Sequence, residues 1–160
     1  MYTNTQRKKT RDCRATISVS LTRCARLARP DVEVVNLGLV DSPERSHEAG
    51  HQCRREDFDV LFPYVTTYPL TNTVLPLMQR AGVPVVVVNL QPESAIDYQT
   101  LNHLEDRTAM TGRWLAYCSA CPVPEIADVI ARGRIPFHQV TGVLNEEETW
   151  QEIEDRKSVV

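Results

Sequence analysis

The segment from His47 to His51, "HEAGH", satisfies the H-E-x-x-H pattern of zinc proteases. On a helix the two histidines lie one turn apart on one face, so both imidazoles reach one zinc ion while Glu48 activates its bound water. Arg45 before the segment, "RRED" after it and the helix-weakening Gly50 favour a solvated amphipathic helix instead. A zinc hydrolase that uses His47, Glu48 and His51 therefore stands as the less favoured hypothesis.

Cys118 and Cys121 have the C-x-x-C spacing of a redox pair or of half a zinc site. They follow "WLAY", at the predicted C-terminal end of a helix, whereas a reactive thiol usually needs a helix N-terminus or a nearby cation. A zinc ribbon needs a second such pair, which the sequence lacks. We therefore expect structural thiols. The odd count of five cysteines, without framework spacing, favours a reducing cytoplasm.

The charge distribution divides the chain into two unlike parts. Residues 1–30 contain eight Lys or Arg and one acidic residue, Asp12, whereas the remainder contains ten basic and twenty acidic residues. Segment 1–30 has three interpretations: a nucleic-acid-binding arm, an organellar presequence, or an irregular segment that is non-native or disordered. We expect the third and no nucleic-acid partner.

No apolar run approaches the roughly 18 residues that span a membrane, so a soluble protein without membrane contact is predicted.

After residue 31, β-branched runs alternate with helix signals. "VEVVNLGLV" precedes a helix that Ser42 caps, and the next apolar run, "VLFPYV", contains Pro63 and is expected at an edge or in an irregular position. A helix over Asn72 to Ala81, with Gly82 as its C-terminal cap, precedes a run of four valines. Further helices are predicted around "TGRWLAYC", "PEIADVIARG" and after Asn145, with a strand near "FHQVTGVL". Predicted core positions there include Trp114, Leu115, Ile126, Val129 and Ile130.

Four consecutive valines leave both faces of a strand apolar, so helices must cover it on both sides. We therefore predict an α/β fold: a three-layer, Rossmann-like or flavodoxin-like parallel sheet flanked by helices. The sequence lacks both glycine-rich phosphate-binding fingerprints, which argues against a nucleotide ligand. Ligands of such sheets bind beyond the carboxyl ends of the strands. Polar residues at those ends either hydrogen-bond a polyhydroxylated ligand or turn the chain and cap helices: Thr66, Thr67, Tyr68, Asn89 and Gln91.

Four stretches resemble the N-terminal domain of the L-fucose/L-arabinose isomerase superfamily, especially its arabinose isomerase-like members. They are "VEVVNLGLVDSPERSHEAG", "RREDFDVLFPYVTTYPLTNTVLPLMQRAGVPVVVVNLQP", "DRTAMTGRWLAYCSACPVPEIADVIARGRIPFHQVTGVL" and "WQEI", from Val32 to Glu154. The resemblance implies an aldose–ketose isomerase in which a divalent metal, typically manganese, holds two sugar oxygens during proton transfer between adjacent carbons. It places the metal-binding residues in later domains, so we expect no cofactor and no catalytic residue in this chain.

The resemblance also implies that this domain packs against other subunits of a homo-oligomer and helps to wall a neighbour's active site. Where arabinose isomerases read N-Q-x-A-H-G, this chain reads "DRTAMTG", with Arg107 for glutamine and Met110 for histidine, which leaves the identity of the sugar open. Carried over by position, the sugar-binding residues lie in two strand-end loops and the loop that follows them: Thr66, Thr67, Tyr68, Gln91, Arg107 and Met110.

The resemblance sets further expectations for the two ends of the chain. The superfamily begins with a glycine-containing strand and a helix before "VEVVN", which segment 1–30 does not resemble. We therefore expect a Rossmann-like domain over residues 31–154 that lacks its native first strand and exposes a sheet edge. The tail 155–160, "DRKSVV", matches one frame of a sequencing adapter. A truncated isomerase fragment, inactive alone, is thus expected, and a free-standing flavodoxin-like module that binds a sugar or a partner is the alternative.

Overall fold

The computed structural model describes residues 32–156 and, by backbone alone, residues 13–17. Strands β1 to β5 of these residues are Cys13–Ile17, Val32–Val35, Val60–Phe62, Val85–Gln91 and Phe137–Val143. Helices α1 to α6 are Pro43–Glu56, Thr71–Ala81, Tyr98–Asn102, Arg107–Leu115, Val123–Arg132 and Glu147–Asp155, with a 3-10 turn at Cys118–Ala120. Strands and helices thus alternate along most of this part of the chain.

The described strands form one parallel sheet with the order β2-β1-β3-β4-β5. Its longest pairing joins β4 to β5, from Val85 opposite Phe137 to Gln91 opposite Val143. This is the flavodoxin-like order of a doubly wound sheet, in which the winding direction changes between β1 and β3. The prediction of an α/β fold with a helix-flanked parallel sheet is confirmed.

The expectation of a missing first strand is corrected by β1. This strand lies inside the sheet, where Cys13 is opposite Val32 of β2 and Ala15 is opposite Val60 of β3. The sequence pattern hid it because the run "CRATI" is short and is interrupted by Arg14 and a threonine. The remainder of segment 1–30 and the end of the tail, residues 157–160, lie outside the described residues.

β3 is an inner strand, so of the two positions predicted from Pro63 the edge is wrong, whereas the irregular position is confirmed because the proline lies outside the strand. The strand lies between β1 and β4 and ends at Phe62, directly before the proline. Pro63 has no N–H to donate, but its carbonyl oxygen accepts a bond of 2.9 Å from the Val88 amide, and the Val65 amide donates to the Val88 carbonyl at 2.9 Å. The proline therefore ends the strand without separating the chain from β4.

Side chains of β4 alternate between two apolar clusters on opposite faces of the sheet. Val85 and Val87 pack with residues of α1, α2 and α5, whereas Val86, Val88 and Leu90 pack with residues of α6. All of them are buried. The valine run is therefore covered on both faces, which is the physical reason that its sequence does not alternate.

Helices α1 and α2 pack closely because α1 presents a row of small buried residues: Ser46, Ala49, Gly50 and Cys53. A Cβ atom on Gly50 would lie 2.6 Å from the Cβ of Arg80 in α2, so this contact requires glycine. The predicted helix ends are confirmed, since Ser42 Oγ accepts the Arg45 amide at 3.2 Å and Gly82 follows α2 with a φ of 69°. Among the described residues, no helix has the length and apolar character needed to cross a membrane.

The predicted core positions after residue 107 divide into two groups. Ile126 and Ile130 of α5 are buried against the sheet, as predicted, and Val129 between them is half-buried. Trp114 and Leu115 of α4 are 46% and 50% exposed, so their core assignment is wrong. No residue of α4 is buried, because this helix lies on the surface. Apolar residue type alone does not distinguish the exposed positions of α4 from the buried positions of α5.

Candidate functional site

A cleft of about 370 Å³ lies beyond the carboxyl ends of β2 and β3. These two strands flank β1, so the cleft lies where the winding direction of the sheet changes. Ligands of doubly wound sheets bind at this position. The walls come from residues 39–41 after β2, residues 63–70 after β3, four residues of α2, and Ile126 of α5.

Three of the sequence-predicted residues line this cleft together: Thr66, Thr67 and Tyr68. Both threonines are exposed, and Tyr68 is 51% exposed, so their hydroxyls are accessible to a ligand. Leu77 and Met78 line the same cleft and are buried. The cleft therefore combines apolar surface with hydroxyl groups that donate and accept hydrogen bonds, a combination that suits the C–H and O–H groups of a sugar.

The first turn of α2 adds a polar element to the cleft. Its N-cap residue is Leu70, and no side chain of the described residues caps the helix there. The positive end of the helix dipole favours electron-rich oxygen atoms, and Leu70 and Thr73 of this turn line the cleft. Thr71 Oγ1 donates to Glu125 Oε1 and so links the first turns of α2 and α5. Asp41 supplies a carboxylate to another wall of the cleft.

Gln91 lies outside the cleft, in a partly buried hydrogen-bond network. Its Nε2 donates to Asn89 Oδ1 at 2.8 Å and to Ser119 Oγ at 3.0 Å. Asn89 is fully buried, and its Nδ2 donates to the Ser119 carbonyl oxygen at 2.7 Å. These bonds attach the 3-10 turn to the end of β4. Of the two interpretations of these amides, the geometry favours turning and fastening the chain over ligand contact.

Arg107 and Met110 also lie outside the cleft, on α4. Asp106 caps this helix by accepting the Thr108 amide at 2.8 Å, so the stretch expected to be a loop is the start of a helix. Arg107 Nη1 lies 4.0 Å from Met110 Sδ, which is a weak contact. The structure thus brings Thr66, Thr67 and Tyr68 together and leaves the other three predicted residues elsewhere.

A second, much smaller recess of about 30 Å³ follows β4 and is lined by polar groups including Arg113. Tyr117 Oη donates to Glu93 Oε2 at 3.3 Å, and burial, followed by the Glu93 charge, raises the pKa of Tyr117. The Thr100 hydroxyl bonded to Asp97 lowers the pKa of that carboxyl group. Small-molecule pockets usually enclose some 300 Å³ or more, so this recess is too small for a sugar.

The two histidines of "HEAGH" lie on α1 beside its contact stripe with α2. His47 is half-buried, and its Nδ1 is buried without a hydrogen-bond partner among the described residues, whereas His51 is exposed. Glu48 forms an ion pair of 3.5 Å with Arg45. Within residues 32–156 no group of three or more His, Cys, Asp or Glu side chains is arranged to hold a metal ion.

Residues 39–41 are the part of the cleft that sequence reasoning missed. Leu39, Val40 and Asp41 follow β2 as Thr66 and Thr67 follow β3. The rule that ligands bind beyond the carboxyl ends of strands applied equally to both loops. Asp41 directly precedes the helix cap Ser42, so its sequence position indicates a helix start and does not reveal its place in the cleft.

No protein-family model matches the chain, and no curated protein matches it.

Proposed function

We propose that this domain forms one wall of the sugar pocket in a metal-dependent aldose–ketose isomerase of the L-arabinose or L-fucose isomerase type, acting in the cytoplasm. The observation that carries the proposal is the cleft beyond β2 and β3, where Thr66, Thr67 and Tyr68 present hydroxyl groups. Their position agrees with the sugar-facing loops that the resemblance implies. The domain would serve a homo-oligomer, with the pocket completed by a neighbouring subunit.

The chemistry of the cleft suits binding and orientation of a sugar. Thr66 and Thr67 supply short hydroxyl side chains, and the half-exposed ring of Tyr68 offers a flat apolar face for sugar C–H groups. The described residues do not fit a manganese site, because Asp41 is the acidic residue that lines the cleft and no group of three potential ligands is present in this part of the chain. We therefore assign no proton-transfer step to these residues.

One observation favours a second candidate, a free-standing flavodoxin-like module that binds a sugar. The cleft volume of about 370 Å³ already falls in the range of complete small-molecule pockets. A complete pocket binds its ligand without a neighbour, whereas one wall of a shared pocket binds weakly. The two candidates therefore differ in the affinity that the isolated chain shows for its sugar.

An NMR titration of the isotope-labelled chain with L-arabinose and with L-fucose tests both candidates. For a shared pocket we expect amide shifts confined to residues 39–41 and 63–70, with a dissociation constant of about 1 mM or weaker, whereas micromolar affinity favours the free-standing module. The substitution Thr67→Val removes one hydroxyl at nearly constant shape and should reduce these shifts. Thr108→Val changes an exposed threonine outside the cleft and is the matched control.

Absence of shifts in the cleft at saturating concentrations of both sugars would refute the sugar-binding part of the proposal. Formation of a ketose from either aldose by the isolated chain, with and without added Mn²⁺, would refute the assignment of the catalytic residues to other domains. The two measurements are independent, so each part of the proposal is tested separately.

A further inference from the structure

Cys118 and Cys121 lie in a different setting from the helix end that the sequence predicts. The sequence placed them at the end of a helix, but α4 ends at Leu115, and the two cysteines begin and follow a separate 3-10 turn. The Cys121 amide donates to the Cys118 carbonyl oxygen at 3.1 Å and closes this turn. Cys121 lies two residues before α5, so the pair connects two helices.

The geometry of a 3-10 turn brings these two side chains together. Side chains three residues apart eclipse each other in such a turn, and a rise of about 2 Å per residue separates their Cα atoms by about 6 Å. Disulfides accept Cα separations of about 4.4 to 6.8 Å. Both cysteines are free thiols in this structure, with Cys118 buried and Cys121 exposed. The backbone can therefore hold either the dithiol or the disulfide.

From this turn geometry and this difference in exposure, we propose that Cys118 and Cys121 form a reversible intramolecular disulfide by exchange with low-molecular-weight disulfides. Cys121 is the attacking thiol because it is accessible to solvent, and Cys118 is the resolving thiol because it is sheltered beside it.

The exchange balances in two steps. The Cys121 thiolate attacks one sulfur of a small disulfide RSSR, forms a mixed disulfide and releases RS⁻, which takes a proton from solvent. Cys118 then loses its proton to solvent and attacks the Cys121 sulfur, which forms the Cys118–Cys121 bond and releases a second RS⁻. The two protein thiols are oxidised, and RSSR is reduced to two RSH.

The second step has a predictable pH dependence. Burial, followed by the adjacent Cys121, raises the pKa of Cys118 above its ordinary value of 9.0. Few Cys118 thiolates are therefore present near neutral pH, and ring closure should accelerate as the pH rises towards 9. A mixed disulfide on Cys121 is expected as a transient species at lower pH.

Redox equilibration of the full chain in glutathione buffers tests the proposal. Trypsin cleavage after Arg113 and Arg132 releases a peptide that contains both of these cysteines and no other. In an oxidising buffer we expect this peptide to resist alkylation and to lose one hydrogen per thiol in mass, and we expect dithiothreitol to reverse both changes. Two alkylated cysteines in every buffer, a lasting mixed disulfide in the native chain, or a disulfide to another cysteine would each overturn the proposal.

Single substitutions assign the order of the two steps. Cys118→Ser should lose the internal disulfide and accumulate the glutathione adduct on Cys121, whereas Cys121→Ser should leave Cys118 unmodified. Equal modification in both variants would overturn the roles given to the two thiols. Cys53→Ala is the matched control, since Cys53 lies in the α1–α2 core and its loss should leave the titration of the peptide unchanged. The native-chain peptide map remains decisive if a variant does not fold.

Discussion

The backbone amide of Leu77 in α2 donates a buried hydrogen bond of 2.9 Å to the hydroxyl oxygen of Ser46 in α1. Leu77 follows Pro76, which lies inside α2 and lacks an amide hydrogen of its own. A proline within a helix disturbs the local backbone bonding, so nearby amides need other partners. Ser46 supplies one and fixes α1 against the helix that forms part of the cleft.

Replacement of Ser46 by alanine should lower the free energy of unfolding by about 1–3 kcal/mol, because it leaves the buried Leu77 amide without this acceptor. Urea denaturation followed by circular dichroism measures the change. Ser94→Ala alters an exposed serine and should change stability by less than about 0.5 kcal/mol. Equal stability of the two variants would show that the hydrogen bond contributes nothing to the packing of these helices.

Replacement of Gly50 by alanine should destabilise the domain although alanine is the better helix former. The new Cβ would lie 2.6 Å from Arg80 Cβ and 3.3 Å from the Leu77 carbonyl oxygen, and such overpacking costs about 1–3 kcal/mol. Gly112→Ala is the control, because a Cβ at this position of α4 meets no atom within 4 Å and should stabilise the helix by about 0.5–1 kcal/mol. The midpoint of thermal unfolding should therefore fall in Gly50→Ala and rise in Gly112→Ala. A shift in the same direction in both variants would contradict the packing argument.

The stability of the domain should fall between about pH 9 and about pH 11 because of Cys53. Burial, the largest cause, raises the pKa of this thiol from 9.0 to about 11 in the folded chain. The unfolded chain releases the proton first. The stability that the buried, protonated Cys53 thiol contributes is therefore fully present below about pH 9 and is lost as the pH approaches 11. Denaturation of the native chain and of Cys53→Ala across this range isolates the effect. A stability difference between the native chain and Cys53→Ala that does not change with pH would refute this prediction.

The sequence predicted the elements that depend on local chemistry. Ser42 and Gly82 mark helix ends through capping and through a left-handed backbone, and these signals act within a few residues. The valine run reports burial on both faces because it lacks alternation. Each of these features can be recognised without knowledge of the residues that pack against it.

The remaining features depend on contacts between distant segments. The role of Gly50 becomes visible only when Arg80 lies beside it, and the position of Gln91 outside the cleft becomes visible only with its bond to Ser119. The first strand was missed because its short run gains order from pairing with β2 and β3. Strand pairing and buried networks join segments that sequence patterns treat separately.

The hydrogen-bond network at the end of β4 should contribute to the stability of the domain and not to sugar binding, and one substitution tests both expectations. Gln91→Ala removes the donor to both Asn89 Oδ1 and Ser119 Oγ, so it should lower the free energy of unfolding by about 1–3 kcal/mol. The sugar-induced NMR shifts around Thr67 should remain, because Gln91 does not line the cleft. Gln139→Ala is the matched control: its Nε2 also bonds a residue two positions away, Thr141, but on the exposed surface, where the loss should cost less than about 0.5 kcal/mol. Loss of the sugar-induced shifts in a folded Gln91→Ala variant would instead assign this amide to the ligand.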